Sequence, residues 1–289
     1  MSFWKDLIKL VKFRLTFLVV FSASISFLIG SQVNGFVNWV NWAKLIVGGF
    51  LITGAANGFN EIIEKDLDRL MTRTADRPLP SGRMTNGQAL VLSLLMGIFG
   101  TYLLGSLNLL TGFLSVFAII LYAFAYTPLK QKSSISVFVG AIPGALPPLI
   151  GYVAAFVHPK IDQVALILFG IQFIWQFPHF WAIAWVLDDD YKLAGFRLLP
   201  TGKRNLISAV ITFIFTLVLV PVSLLPTFYG YGGYYVGGVS LICSLIFLYQ
   251  SFMLMRTLEI KSARQLMFGS FLYLPVVQLM FLFDFIVKK

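Results

Sequence analysis

Charged side chains leave this chain in long intervals. No Lys, Arg, Asp or Glu occurs across residues 15–43, 84–129, 133–159, 163–187, 206–255 or 265–283. A helix that crosses a bilayer needs about 20 mostly apolar residues, so each interval holds one span or two. The first span ends near Gly30, and the second runs from about Leu45 into a charged stretch. "GSLN" at 105–108 divides one long interval and "PTFYGYGGYY" at 226–235 divides another. The pattern predicts nine transmembrane helices in a single all-α domain covering residues 1–289. Residues 1–12, "MSFWKDLIKLVK", read as a basic amphipathic helix lying in the interface.

Composition narrows the class. The chain is 58% hydrophobic and 16% aromatic, which excludes a soluble domain with a polar shell. A formal charge of +10 would suggest nucleic acid in a soluble chain. Here the basic residues sit in short loops between apolar runs, which is a topology signal, and no nucleic-acid partner is expected. With the N-terminus inside, only Lys44, Lys160, Lys288 and Lys289 fall on the outer side. That bias predicts an N-in, C-out protein of the cell inner (plasma) membrane, with loops 65–85 and 188–204 cytoplasmic. Cys243 is the only cysteine and is expected to pack.

Acidic residues are scarce and clustered. Of twelve, Glu61, Glu64, Asp66, Asp68 and Asp76 lie in "NGFNEIIEKDLDRLMTRTADRPLPSGR" at 57–83. Asp188, Asp189 and Asp190 lie in "LDDDYKLAGFRLLP" at 187–200, on the same side of the membrane. Asn60, Glu64 and Asp68 are four apart and form a column of oxygen ligands on one helix face. Stacked like charges need a cation between them, and oxygen ligands without Cys or clustered His suit Mg²⁺, which bridges to substrate phosphates. Arg69, Arg73, Arg77, Lys130 and Lys192 would then hold phosphate oxygens. The bland alternative is a solvated juxtamembrane face with topology-setting arginines. Adjacent carboxylates cannot all face one ion, so Asp66 and Asp188 are left outside the site.

Three further features have two readings each. Tyr122 and Tyr126 could steady a carbocation or a phosphate oxygen, or pack at the headgroups. "GAIPGALPPLIGY" at 140–152 could line a channel for a long apolar substrate, or let helices pack closely. His179, within a span and among aromatics, could be a satisfied core residue or a contact to a haem propionate or iron.

These blocks resemble a known family. "NGFNEIIEKDLDRL" is similar to the Asn-Asp-x-x-Asp-x-x-x-Asp signature of UbiA-type intramembrane prenyltransferases. "MTRTADRPLPSG", "YTPLKQKSSISVFVGAIPGALPPLIGY", "WQFPHFWAIAW" and "DDDYKLAGFRLLP" resemble the branch that farnesylates protohaem IX, over about residues 10–285. The resemblance implies nine helices around a central cavity and transfer of a farnesyl group from farnesyl diphosphate to a haem vinyl group, with water added. It implies a lipid-bilayer setting and a haem A synthase or oxidase assembly partner. By motif position Asn60, Glu64 and Asp68 would form the first metal–diphosphate site and Asp189 or Asp190 the second, with Arg73, Arg77 and Lys130 on the diphosphate. Glu64 stands where Asp is usual and Glu61 where Asp or Asn is common, which moves a ligand by one methylene. Rival readings are an aromatic prenyltransferase of quinone biosynthesis and a transporter of an anionic lipid or metabolite.

Overall fold

The computed structural model describes residues 3–287; Lys288 and Lys289, placed on the outer side above, lie outside the described residues. A short helix α1 (Phe3–Leu10) precedes α2 (Phe13–Asn34) and α3 (Trp39–Asp68). Then come α4 (Asn86–Gly105), α5 (Leu109–Ile119), a π-helical segment (Ile120–Tyr126) and α6 (Thr127–Leu129). They are followed by α7 (Ser136–Ala154), α8 (Gln163–Val186), α9 (Asp188–Leu193), α10 (Leu206–Ser223), α11 (Leu225–Phe228), α12 (Tyr234–Thr257) and α13 (Ile260–Val287). Among the described residues nine helices are long and apolar enough to cross a membrane, with α5 to α6 and α10 to α11 each counting as one. In hydrocarbon every backbone N–H and C=O must be satisfied within the segment, so an apolar chain of this kind resolves into helices.

The helix starts are written locally. Asn38, Thr85, Asn108, Asp162 and Asn205 each accept a hydrogen bond from a backbone N–H of the first turn they precede. Thr85 and Gln88 complete a reciprocal capping box at α4. The start of α12 has no side-chain cap of its own, and buried Asp284 of α13 accepts from Gly233 N and Val236 N instead.

The proline-rich stretch settles as one continuous helix, α7, despite Pro143, Pro147 and Pro148. Pro148 has no N–H, so the Gly144 carbonyl loses its helical partner. Gln172 of α8 supplies the missing donor, with Nε2 2.7 Å from that carbonyl. Gln172 Oε1 in turn accepts from Ser22 of α2 at 2.7 Å and Gln278 of α13 at 3.1 Å, a buried polar knot joining four helices. Of the two readings of this span, the structure displays close packing. A Cβ on Gly151 would stand 1.9 Å from the Ala23 carbonyl oxygen, so only glycine lets α2 and α7 approach this far.

Candidate functional site

The last turns of α3 meet three loops at one end of the bundle. Loop 69–85 folds back over that end, where Leu79 N donates to Glu61 Oε1 and Arg69 Nε to the Pro80 carbonyl. The segment after α6 is tied to the segment after α9 by Arg197 N donating to the Lys130 carbonyl and Gln131 Nε2 to the Ala194 carbonyl. Asp190 joins the first loop to the third, accepting from Thr72 N at 2.7 Å and Arg73 N at 3.4 Å. Helix α1 lies against loop 69–85 through Asp6–Arg83 and Lys9–Asp76 ion pairs.

Beneath the loops Asn60, Glu64 and Asp68 are all buried, the exposures being 1%, 3% and 1%. Three buried polar groups in a row, two of them carboxylates, need compensation. Asn60 Nδ2 donates to Glu64 Oε2 at 2.8 Å and to Thr127 Oγ1 at 3.0 Å. Lys130 Nζ stands 2.8 Å from Glu64 Oε1, and Arg77 pairs with Asp68 Oδ2. Lys12 Nζ donates to Asn60 Oδ1 at 2.6 Å. Each member of the column thus carries one cation.

Lys12 was not among the residues singled out by sequence. It occupies the break between α1 and α2, in left-handed backbone at φ 48°. Asn57 supports the break by donating to the Val11 carbonyl at 3.1 Å, three residues before Asn60 on the same α3 face. A signal existed, since a lysine ending an interfacial helix must turn its ammonium toward polar company. Burial pulls the Lys12 ammonium down to about 7, with the Arg77 and Lys130 charges acting the same way. Burial is the largest single influence on Lys130 and opposes its charge, but the Glu64 carboxylate together with Tyr122 and Tyr191 turns the net direction up. A buried Lys12 whose charge is resisted, beside two further cations, marks a place with room for more negative charge.

The tyrosines reach the same mouth. A π-helical turn, a feature frequent at functional sites, carries Tyr122 and Tyr126 with ring centroids 5.5 Å apart. Lys130 Nζ lies over the Tyr126 ring, 4.7 Å from its centroid. The ring fits because residue 140 is glycine; a Cβ there would come 2.7 Å from Tyr126 Cδ2. Arg73 is exposed, with its guanidinium 5.7 Å from the Tyr191 ring centroid.

Other candidates lie apart from the column. Asp189 is exposed and pairs with Arg204 at 3.0 Å. Lys192 is more than half exposed and pairs with the buried Asp188 at 2.7 Å. His179 is on α8, where its Nδ1 lies 2.7 Å from Ser270 Oγ of α13.

The donor set suits a hard cation. It is all oxygen, and buried Asp68 Oδ1 has no hydrogen-bond partner among the described residues. No group of three His, Cys, Asp or Glu stands together among the described residues. Mg²⁺ does not require one, because it takes one or two carboxylates and completes its shell with water and substrate phosphates.

Residues 19–274 match the model of the UbiA prenyltransferase family. The chain is 46% identical to the protoheme IX farnesyltransferase of Cytophaga hutchinsonii, covering 96% of both chains. It is 41% identical to the enzyme of that name from Flavobacterium psychrophilum, over 98% of this chain and 95% of that one. Among solved structures, a digeranylgeranylglyceryl phosphate synthase superposes with a TM-score of 0.82 at 20% identity, covering 99% of this chain and all of that one. A UbiA homolog from Archaeoglobus fulgidus, bound to GPP and Mg²⁺, superposes with a TM-score of 0.62 at 12% identity, covering 96% of this chain and 99% of that one. The two structures share the fold.

Proposed function

This chain belongs to the UbiA prenyltransferase family, within its protohaem IX farnesyltransferase branch, and we propose that it transfers a farnesyl group from farnesyl diphosphate to a vinyl group of protohaem IX, with addition of water, giving haem O for terminal oxidase assembly. The choice of haem as acceptor follows the named relatives. The observation that carries the diphosphate chemistry is the buried Asn60–Glu64–Asp68 column, each member held by one cation.

In this reading the cations are parked on the column until the diphosphate arrives. Lys130, Arg77 and Lys12 then turn from Glu64, Asp68 and Asn60 to the phosphate oxygens, with Arg73 reaching in from the loop. The freed oxygens of Asn60, Glu64 and Asp68, with Asp190 across the mouth, would hold Mg²⁺. The ion, when bound, neutralises charge on the departing diphosphate. Once turned, these cations in a water-poor site supply the same electrostatic stabilisation as the carbon–oxygen bond breaks. Tyr122 and Tyr126 present ring faces to the allylic cation, and the helices keep water from it until the haem vinyl carbon has attacked. Asp189 and Lys192, paired outward with Arg204 and Asp188, fit a supporting role in loop 188–204.

The membrane arrangement belongs to the same proposal. The Lys/Arg bias supports a cytoplasmic loop-bearing end, N-in and C-out, with α1 on the inner face of the plasma membrane. A transporter reading would gain from matched broken helices, and α7 runs unbroken.

The test is direct. The purified protein is given farnesyl diphosphate, Mg²⁺ and either protohaem IX or 4-hydroxybenzoate, and the products are weighed by mass spectrometry. Haem should gain a farnesyl group and the elements of water. A farnesylated benzoate beside untouched haem would move the assignment to an aromatic prenyltransferase.

A further inference from the structure

His179 is mounted more firmly than packing requires. Its ring stacks on Trp175 of the same helix, with centroids 4.4 Å apart and planes 18° from parallel. Both residues reach Ser270 of α13: His179 Nδ1 lies 2.7 Å from Ser270 Oγ, and Trp175 Nε1 donates to the Ser270 carbonyl at 3.1 Å. Phe271 meets the imidazole edge-on, with centroids 5.4 Å apart. The ring therefore has little freedom to turn.

The serine decides which nitrogen carries the proton. A hydroxyl has one hydrogen, and Ser270 Oγ donates it to the Met267 carbonyl at 2.6 Å. With the hydroxyl so turned its oxygen accepts from His179, a pairing that requires the hydrogen on Nδ1. No carboxylate touches the ring among the described residues, and an uncompensated imidazolium at this depth would be costly, so the ring is neutral. In that tautomer Nε2 carries a lone pair, and the His179 hydrogen bond among the described residues is made through Nδ1 alone. An imidazole donating through one nitrogen to a fixed oxygen, with the other free, is how metal-ligating histidines are held.

The face of α8 that carries His179 turns inward. Gln172, Gln176 and His179 share one face of α8 by helical spacing. Gln172 bonds to α2, α7 and α13 and Gln176 to the Ala141 carbonyl of α7, which turns that face to the middle of the bundle. His179 nevertheless keeps part of its surface open. It lies seven residues from the end of α8, about 10 Å below the charged mouth at the helical rise per residue.

We propose that His179 is an axial ligand to the iron of the porphyrin substrate, through Nε2, with Ser270 as its positioning residue. The inference rests on the haem-acceptor reading above and adds the atom that holds the acceptor. Ligation would hang the flat macrocycle from α8, against Trp175 and Phe271 and beneath the diphosphate site. The ring position would then be set by one bond rather than by its apolar edge alone.

Detergent-purified wild type, His179→Gly and Ser270→Ala are titrated with protohaem IX and followed by absorption, electron paramagnetic resonance and resonance Raman spectroscopy. Wild type should show a histidine-ligated iron. His179→Gly should lose that signature and regain it on addition of free imidazole. Ser270→Ala keeps the imidazole but frees its orientation, so haem affinity should fall about 10–100-fold, the usual effect of removing an outer partner of a ligating histidine, with a shifted iron–nitrogen stretch. If His179→Gly is not recovered folded, Ser270→Ala decides alone. Unchanged spectra in His179→Gly, or unchanged affinity and stretch in Ser270→Ala, would overturn the proposal. Wild type that farnesylates haem without histidine ligation would overturn it while leaving the functional reading intact. Wild type that neither binds nor modifies haem would sink both.

Discussion

Arg77→Ala should destabilise the protein severely, and Mg²⁺ should repair the damage. Arg77 pairs with Asp68 Oδ2, and the Asp68 side chain is only 1% exposed. The other oxygen, Oδ1, already lacks a partner among the described residues. Deleting the guanidinium leaves a buried carboxylate with no compensation, and removing one partner of such a pair costs about 3–5 kcal/mol. Removing both charges in Arg77→Ala/Asp68→Asn should cost far less than the two single losses summed, because no unpaired charge remains. The assay is chemical unfolding in mixed micelles, with and without Mg²⁺. If Asp68 is a ligand, the ion binds the stranded carboxylate and restores stability by mass action. Asp68→Asn should be recovered folded, gain nothing from Mg²⁺ and lose turnover. A loss below about 1 kcal/mol in Arg77→Ala would contradict the burial argument. Equal Mg²⁺ stabilisation of Asp68→Asn would remove Asp68 from the metal set, as would substantial Mg²⁺-dependent turnover in that variant.

Other expectations follow from single contacts. Lys12→Met removes the cation on Asn60 and should weaken farnesyl diphosphate binding about tenfold, by calorimetry, with the fold intact; unchanged affinity would make Lys12 a structural tether only. Gly140→Ala should displace Tyr126 and lower kcat at least about tenfold while Tyr126→Phe, which keeps the ring face, stays near wild type; equal rates in all three would clear the ring of a role. Gln172→Leu breaks the knot and strands the Gly144 carbonyl, at a cost of about 1–3 kcal/mol in unfolding, given about 0.6 kcal/mol per average intramembrane hydrogen bond and more for the stranded group. The Lys9 hydrogen bond, then that of Arg83, holds Asp76 below its usual value of 3.8. A depressed carboxylate contributes above its unfolded pKa and loses that contribution as pH falls through the folded one. The protection of α1 amides from exchange, relative to their intrinsic rates, should therefore fall only below about pH 3.8, and Asp76→Asn should show reduced protection already at neutral pH.

The properties legible in the sequence are those that repeat along it. Charge-free intervals mark the spans, because hydrocarbon excludes ionised groups whatever the neighbours are. Breaks at 105–108 and 226–235 fall where α4 gives way to α5 and α11 to α12. The i, i+4 column is a geometric consequence of helix, and so is its burial once the loops close over it.

What tertiary structure alone decided is the partner of each charge. Asn60 meets Lys12 from 48 residues away and Thr127 from 67. Asp190 reaches the loop after α3 across 117 residues, while its neighbour Asp189 turns out to Arg204, a distinction two adjacent aspartates cannot carry in sequence. The π-helical turn under Tyr122 and Tyr126, and the serine that meets the His179 ring, are invisible to periodicity as well. The reason is energetic. Inside a membrane apolar character is rewarded at every position alike, so it writes a local pattern. A buried charge or hydrogen-bonding group is tolerated only when one particular distant atom satisfies it, and only the packed helices bring that atom within reach.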